Sequence, residues 1–156
     1  MTEIGIGIVG GGYMGKAHAV AMSSVGAVFD TALRPRLEMV CASSTDSAEK
    51  YRAAFGFARG TDSWETLVRD PKVEAVVIAS PQTTHRAIAE LAFSLGKPVF
   101  CEKPLGASLE DSRAMVAAAN GHISMTGFNY IRTPASQFAR ALVAEGAIGD
   151  VTWFRG

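Results

Sequence analysis

An excess of either charge is missing from this sequence: Lys plus Arg and Asp plus Glu each number 15. Without a positive surplus no general field draws the chain onto nucleic acid or an acidic membrane surface, so neither is expected as a partner and a small molecule fits better. Cysteine is scarce, with 2 in 156 residues. Cys41 and Cys101 lack any C-x-x-C spacing and sit in apolar runs, so neither a disulfide nor a zinc site is expected, and no metal site is assigned. No segment reaches the roughly 20 apolar residues of a membrane span. The early apolar run is broken by Gly5, Gly7 and Gly10 and has no basic segment before it, so a cytoplasmic setting is expected. Tandem repeats and low-complexity stretches are absent too.

What is present is an alternation of strand-like and helix-like segments. Ile4 to Val9 reads as a strand, and beyond the glycines Met14, Ala17, Ala21, Met22 and Val25 recur at helical spacing. Leu37 to Ser43 reads as a second strand, and Asp46-Ser47-Ala48-Glu49 has the spacing of a capping box that opens a helix through Phe55. A long link, VGAVFDTALRPRL, separates that strand from the first helix. Phe57 to Gly60 forms a short strand, and Asp62-Ser63-Trp64-Glu65 starts a short helix that Asp70-Pro71 stops. Val73 to Ala79 is nearly all apolar, as a strand covered on both faces must be. A helix marked by Ile88, Leu91, Ala92 and Leu95 closes at Gly96, and Val99 to Cys101 follows as a strand. Ser108 caps the next helix, Gly121 ends it, and Ile123 to Gly127 is the sixth strand. Such β-α alternation implies an α/β fold, a Rossmann-type doubly wound parallel sheet with helices on both faces. Residues 1–127 make that domain. Residues 128–156 break the pattern, with a helix begun by Thr133 and Pro134, then GDVTWFRG as one strand that lacks a sheet. An unpaired strand bearing Trp153 and Phe154 is prone to pairing, so self-association through residues 150–155 is expected.

The turn Gly10-Gly11-Gly12-Tyr13-Met14-Gly15 matches G-x-G-x-x-G between a strand and an amphipathic helix. Gly10 permits the tight turn, Gly12 lets backbone approach a pyrophosphate, and Gly15 lets helix press on strand. The helix N-terminus then offers N–H donors and partial positive charge to the anion. A glycine turn kept for packing alone is the competing reading, and the strand-before, helix-after context weighs against it. Gly10, Gly12, Tyr13, Met14 and Gly15 are therefore candidate cofactor contacts.

The motif expects an acid about 20 residues on, ending the second strand, to bind the adenosine ribose. Asp30 has roughly that count but lies in the long link, and is read as a solvated loop residue. The equivalent place is held by Ser43-Ser44-Thr45, where hydroxyls can donate to a 2′-phosphate, with Lys50 or Arg52 as nearby charges. Asp46 is two residues late and reads as a helix cap. A nicotinamide dinucleotide, NAD(P), is expected, with a lean to NADP.

Three further stretches accompany the front motif: SPQTTH (Ser80 to His85), FCEKPLG (Phe100 to Gly106) and GFNYIRTPA with AEGAIGDV. Together with GIVGGGYMGKAH they resemble the Gfo/Idh/MocA family, the glucose–fructose oxidoreductase and inositol dehydrogenase group, over essentially the whole chain. The resemblance implies that Lys103 stands by the nicotinamide and the reacting carbon as the catalytic residue, with Glu102 toward the nicotinamide ribose and Pro104 stiffening the turn. Position at the carboxyl end of a strand agrees, since open α/β sheets bind ligands there, and a cation can stabilise a developing alkoxide. A solvated turn lysine is the bland alternative. Ser80, Pro81 and Gln82 fall at the fourth strand's end, with Gln82 where the family usually has Asn. His85 matches the family's histidine, with cofactor contact and local packing both open. His18 reads as structural. Asn129, Tyr130 and Arg132 lie on the path out of the sheet, and the family's arginine after Tyr is Ile131 here, so packing is the reading for Arg132.

The resemblance also implies a further domain carrying the proton relay and most of a sugar, inositol or polyol pocket. The 156-residue chain is therefore expected to bind cofactor but to be catalytically incomplete. The competing expectation is a stand-alone dinucleotide-binding module, a sensor or a subunit for a separate partner.

Overall fold

A computed structural model describes residues 2–155. Six parallel strands form one sheet in the order β3-β2-β1-β4-β5-β6, with β1 Thr2–Val9, β2 Leu33–Cys41, β3 Arg59–Thr61, β4 Ala75–Ile78, β5 Val99–Cys101 and β6 Ser124–Thr126. The helices are α1 Tyr13–Val28, α2 Thr45–Phe55, α3 Trp64–Arg69, α4 His85–Ser94, α5 Leu109–Ala118 and α6 Pro134–Ala144. Strand order reverses between β1 and β4, which is where a doubly wound sheet opens a crevice at its carboxyl edge.

The nearly continuous apolar strands are buried on both faces. Ile8, Val76, Val77 and Ile78 are at most 2% exposed. One face joins Met39, Val76, Ile78 and Val99 to Leu67 and Val68 of α3, Ile88 and Phe93 of α4 and Met115 of α5. The other joins Ile6, Ile8, Leu37, Val40 and Val77 to Ala19 of α1 and Phe57. On that second face cover thins toward β6, where Met125 is 44% exposed.

Several boundaries differ from the sequence reading. β2 begins at Leu33, not Leu37, so the link after α1 shrinks to residues 29–32. Pro35 hid this stretch. It is tolerated because β2 pairs with β3 only over Met39–Cys41, which leaves Pro35 clear of the β3 ladder. Ser44, not Asp46, caps α2 by accepting from Ser47 N, and Ser63, not Asp62, caps α3 by accepting from Thr66 N. Ser108 and Thr133 cap α5 and α6 as expected.

Residues 151–155 form no strand, contrary to the alternating pattern; Gly156 lies outside the described residues. An alternating segment becomes a strand only against a partner, and here Val151, Trp153 and Phe154 are 57%, 75% and 84% exposed. No residue of α6 is buried. Among the described residues, no helix is long and apolar enough to cross a membrane.

Below the carboxyl edge, Glu38 is 2% exposed within the sheet. Arg36 pairs with it, and Arg59 holds it at 2.6 Å while also reaching Asp70 at 2.5 and 2.8 Å. This buried carboxylate is satisfied by two guanidinium groups, so it ties β2, β3 and the end of α3 together.

Candidate nucleotide site and lysine cavity

The turn after β1 is built on glycines, at two of which a side chain would collide with backbone. Gly10 has φ 111°, and a Cβ there would meet the Ala79 carbonyl oxygen at 2.4 Å. At Gly15 an added Cβ would stand 1.9 Å from the Gly10 carbonyl oxygen, whereas at Gly12 nothing lies within 4 Å. Two glycines are thus required by packing, and the third faces open space.

That space is a cavity of about 550 Å³ lined by Gly10, Gly11, Gly12, Ser43, Asp62 and Ser80, among others. Four helices are capped at their N-termini by Ser44, Ser63, Ser108 or Thr133. α1 and α4, which leave the sheet at its switch point, have no side-chain cap. α1 also carries no acidic residue in its first turn. Unmet N–H donors, the positive end of a 16-residue helix and an open glycine make a cradle for an anion. The cavity volume and these donors fit a dinucleotide's phosphates.

A second cavity of about 320 Å³ lies on the same face as α1 and is lined by Met14, His18, Glu102, Lys103, Thr126 and Arg132, among others. Both cavities border the start of α1, since Gly12 lines the first and Met14 the second. Glu102 is 6% exposed. Its Oε1 lies 2.9 Å from His18 Nε2, and its Oε2 accepts from Lys103 N at 3.2 Å. The His18 ring also packs edge-on against Phe100, 4.8 Å between centroids. Lys103 is exposed, and its ammonium has no hydrogen bond or ion pair among the described residues. The cavity thus presents the unpaired Lys103 ammonium, with Arg132 also in its lining, beside a carboxylate held in place.

Residues 4–130 match the sequence model of the Gfo/Idh/MocA oxidoreductase family, NAD-binding Rossmann fold. The chain belongs to this family. A levoglucosan dehydrogenase from Pseudarthrobacter phenanthrenivorans is 37% identical over 159 residues, covering 100% of this chain and 41% of that protein. An inositol 2-dehydrogenase from Acidothermus cellulolyticus is 33% identical, covering 94% of this chain and 42% of its own length. A solved structure of levoglucosan dehydrogenase in complex with NADH and L-sorbose matches with a TM-score of 0.91 at 38% identity, covering 96% of this chain and 41% of that one. The chain therefore spans about two fifths of the length of these relatives.

Within this Gfo/Idh/MocA domain, Gly10, Gly12, Ser43, Ser80 and Pro81 line the first cavity, and Met14, Glu102 and Lys103 the second. The other expected contacts stand differently. Tyr13 is 84% exposed and lines neither cavity. Gly15 is buried beneath the turn, where it serves packing. Gln82 is exposed in a short 3-10 turn outside both linings.

Ser44 and Thr45 are not free hydroxyls awaiting a phosphate. Ser44 is occupied as the α2 cap and donates to Ser47 Oγ at 3.0 Å, and Thr45 Oγ1 donates to Asp62 at 2.8 Å. Arg52, expected as a nearby charge, is held by Glu49 at 2.7 and 2.6 Å.

His85 is 1% exposed, so of the two readings left open, cofactor contact and local packing, the structure has packing. Its Nε2 lies 2.9 Å from Ser80 O and its Nδ1 3.1 Å from Leu105 O, so the ring ties the loop after β4 to the loop after β5. It supports the lysine loop from behind. Arg132, expected to pack, is exposed and lines the second cavity.

Ser47, Tyr51, Asp62, Trp64 and Thr84 also line the first cavity and were not among the expected contacts. Asp62 was legible only as a helix-cap candidate. Cys41 lines the same cavity, and burial first, then the carboxylates of Asp62 and Glu65, push its thiol up to about 11. Burial and Glu102 push the Cys101 thiol to about 12. Neither is a nucleophile at neutral pH.

Proposed function

We propose that this chain is the nucleotide-binding part of an NAD(P)-dependent oxidoreductase that acts on an alcohol or carbonyl carbon of a sugar, inositol or related polyol. The observation that carries this reading is the uncapped N-terminus of α1, set against a roomy cavity and open at Gly12. Gly10, Gly11 and Gly12 would hold the diphosphate, Ser43 and its neighbours the adenosine half, and Ser80 and Pro81 the link toward the second cavity. Levoglucosan and inositol dehydrogenases among the relatives support the substrate class.

When bound, the dinucleotide supplies the two-electron chemistry between alcohol and carbonyl. Lys103 donates a hydrogen bond to the substrate oxygen and stabilises negative charge that builds there. Its backbone is fixed by Glu102, which His18 orients. Alcohol oxidation also needs a proton acceptor within reach. In the second cavity the carboxylate of Glu102 is already engaged by His18 and by Lys103 N. The chain is therefore a cofactor binder with little turnover of its own.

The same reading takes residues 1–127 as the nucleotide domain and 128–156 as a linker helix and the start of a further domain, supported by the lack of any buried residue in α6. It includes a cytoplasmic setting, and association through residues 150–155, supported by exposed Trp153 and Phe154. Sedimentation at rising concentration tests that association. For the function, fluorescence titration with NADH and NADPH should give saturable binding, while mixing with levoglucosan or inositol and oxidised cofactor should give no steady accumulation of reduced nicotinamide. Failure to bind either cofactor removes the reading.

A further inference from the structure

The carboxylate that the glycine motif calls for is missing from the end of β2, yet one stands at the end of β3. These two strands run parallel with Cys41 opposite Thr61, and Ala42 N donates to Thr61 O at 3.1 Å. Asp62 therefore emerges beside Ala42 and Ser43, one strand spacing of about 4.8 Å from the usual position, a gap that an aspartate side chain largely spans. It lines the larger cavity together with Ser43 and Gly12.

The carboxylate is also oriented. Thr45 Oγ1, in the first turn of α2, donates to Asp62 Oδ2 at 2.8 Å. An ionised carboxylate accepts at about four lone-pair sites, so one such bond fixes its direction and leaves capacity for ligand hydroxyls. The charge around it is of one sign. Among the described residues, the cavity lining contains Asp62 and no lysine or arginine. Arg52 is committed to Glu49. The field of Asp62 and Glu65 reaches Cys41 at the end of β2, where it adds to burial in raising the thiol.

We propose that Asp62 is the specificity-determining residue at the adenosine end: it accepts the ribose 2′- and 3′-hydroxyls and disfavours a 2′-phosphate, so the chain takes NAD in preference to NADP. This rests on the reading that the cavity holds a dinucleotide. It reverses the lean to NADP drawn from Ser43-Ser44-Thr45, because the fold spends the Ser44 hydroxyl on a cap and the Thr45 hydroxyl on Asp62 itself. A charge-assisted bond to each hydroxyl favours NAD. A phosphate of charge near −2 beside the same carboxylate is repelled.

Titration of the full chain with NADH and NADPH, read by nicotinamide fluorescence, tests this. NADH should bind at least about tenfold more tightly, and Asp62→Asn should weaken NADH about tenfold while strengthening NADPH by relief of the repulsion, collapsing the ratio. Thr45→Val, which keeps the carboxylate but frees it, should weaken NADH by a few fold. Circular dichroism establishes that the variants are folded. Should Asp62→Asn not fold, competition by 5′-AMP against 2′,5′-ADP on the unaltered chain decides, with AMP expected to be the stronger competitor. Equal or tighter binding of NADPH, a ratio that Asp62→Asn does not change, or stronger competition by 2′,5′-ADP overturns the assignment and leaves the cofactor reading standing. Absence of binding by both dinucleotides removes the cofactor reading, and the assignment with it.

Discussion

His18 Nε2 on α1 and Glu102 Oε1 after β5 lie 2.9 Å apart, although 84 residues separate them in the chain. The pair joins the helix of the glycine turn to the loop that carries Lys103. His18→Ala would leave a buried carboxylate with only the Lys103 N–H as partner, and the expected cost is about 1–3 kcal/mol. Urea unfolding at neutral pH measures it. His18→Gln, which restores a donor, should recover part of the loss; an unchanged midpoint in His18→Ala would show that the contact carries no weight.

Gly12 and Gly15 should separate binding from folding. Gly15→Ala pushes a Cβ to 1.9 Å from the Gly10 carbonyl oxygen, so a loss of about 3 kcal/mol or more is expected. Gly12→Ala meets no atom within 4 Å, so its thermal midpoint should stay close to that of the parent. Its NADH affinity should nonetheless fall about tenfold or more, because the methyl occupies the space where backbone would approach phosphate. A Gly12→Ala chain that binds as tightly as the parent would refute the placement of the diphosphate.

Acid should weaken the fold through Asp70. Its hydrogen bonds from Arg59 hold its carboxyl well below the usual range, at about 2 against about 3.9 when unfolded. A folded value below the unfolded one means stability that is full above about pH 4 and is lost as pH falls toward about 2. Asp70→Asn should flatten the stability profile in that window while lowering stability at neutral pH. Identical slopes for parent and variant between those limits would rule this out.

Removal of residues 133–156 should spare the nucleotide domain. No residue of α6 is buried, and residues 151–155 are exposed. The shortened chain is expected to unfold cooperatively within about 0.5 kcal/mol of the parent, with NADH affinity retained. Loss of a cooperative transition would move the domain boundary past Gly127.

Local signals were legible because their causes are local. Gly96, Gly121 and Gly146 end their helical segments with φ of 72°, 79° and 72°, a conformation that only glycine adopts without strain. Ser108 and Thr133 cap their helices by reaching N–H groups three residues on. Where cap residues stand side by side, as at Ser44-Thr45-Asp46 and Asp62-Ser63, composition could not choose among them. The chain path did, by bringing the Ser44 and Ser63 hydroxyls within reach of the Ser47 and Thr66 N–H groups.

The sequence by itself determined the β-α alternation, the three glycines of the first turn and the lysine after the fifth strand, since each follows from spacing along the chain or from the backbone freedom of one residue. Only the tertiary structure decided which side chains meet: Asp62 beside Ser43, His18 on Glu102, and His85 folded away between two loops. These are contacts between strands and loops far apart in the chain. Their existence depends on the order in which parallel strands assemble, which no local pattern encodes.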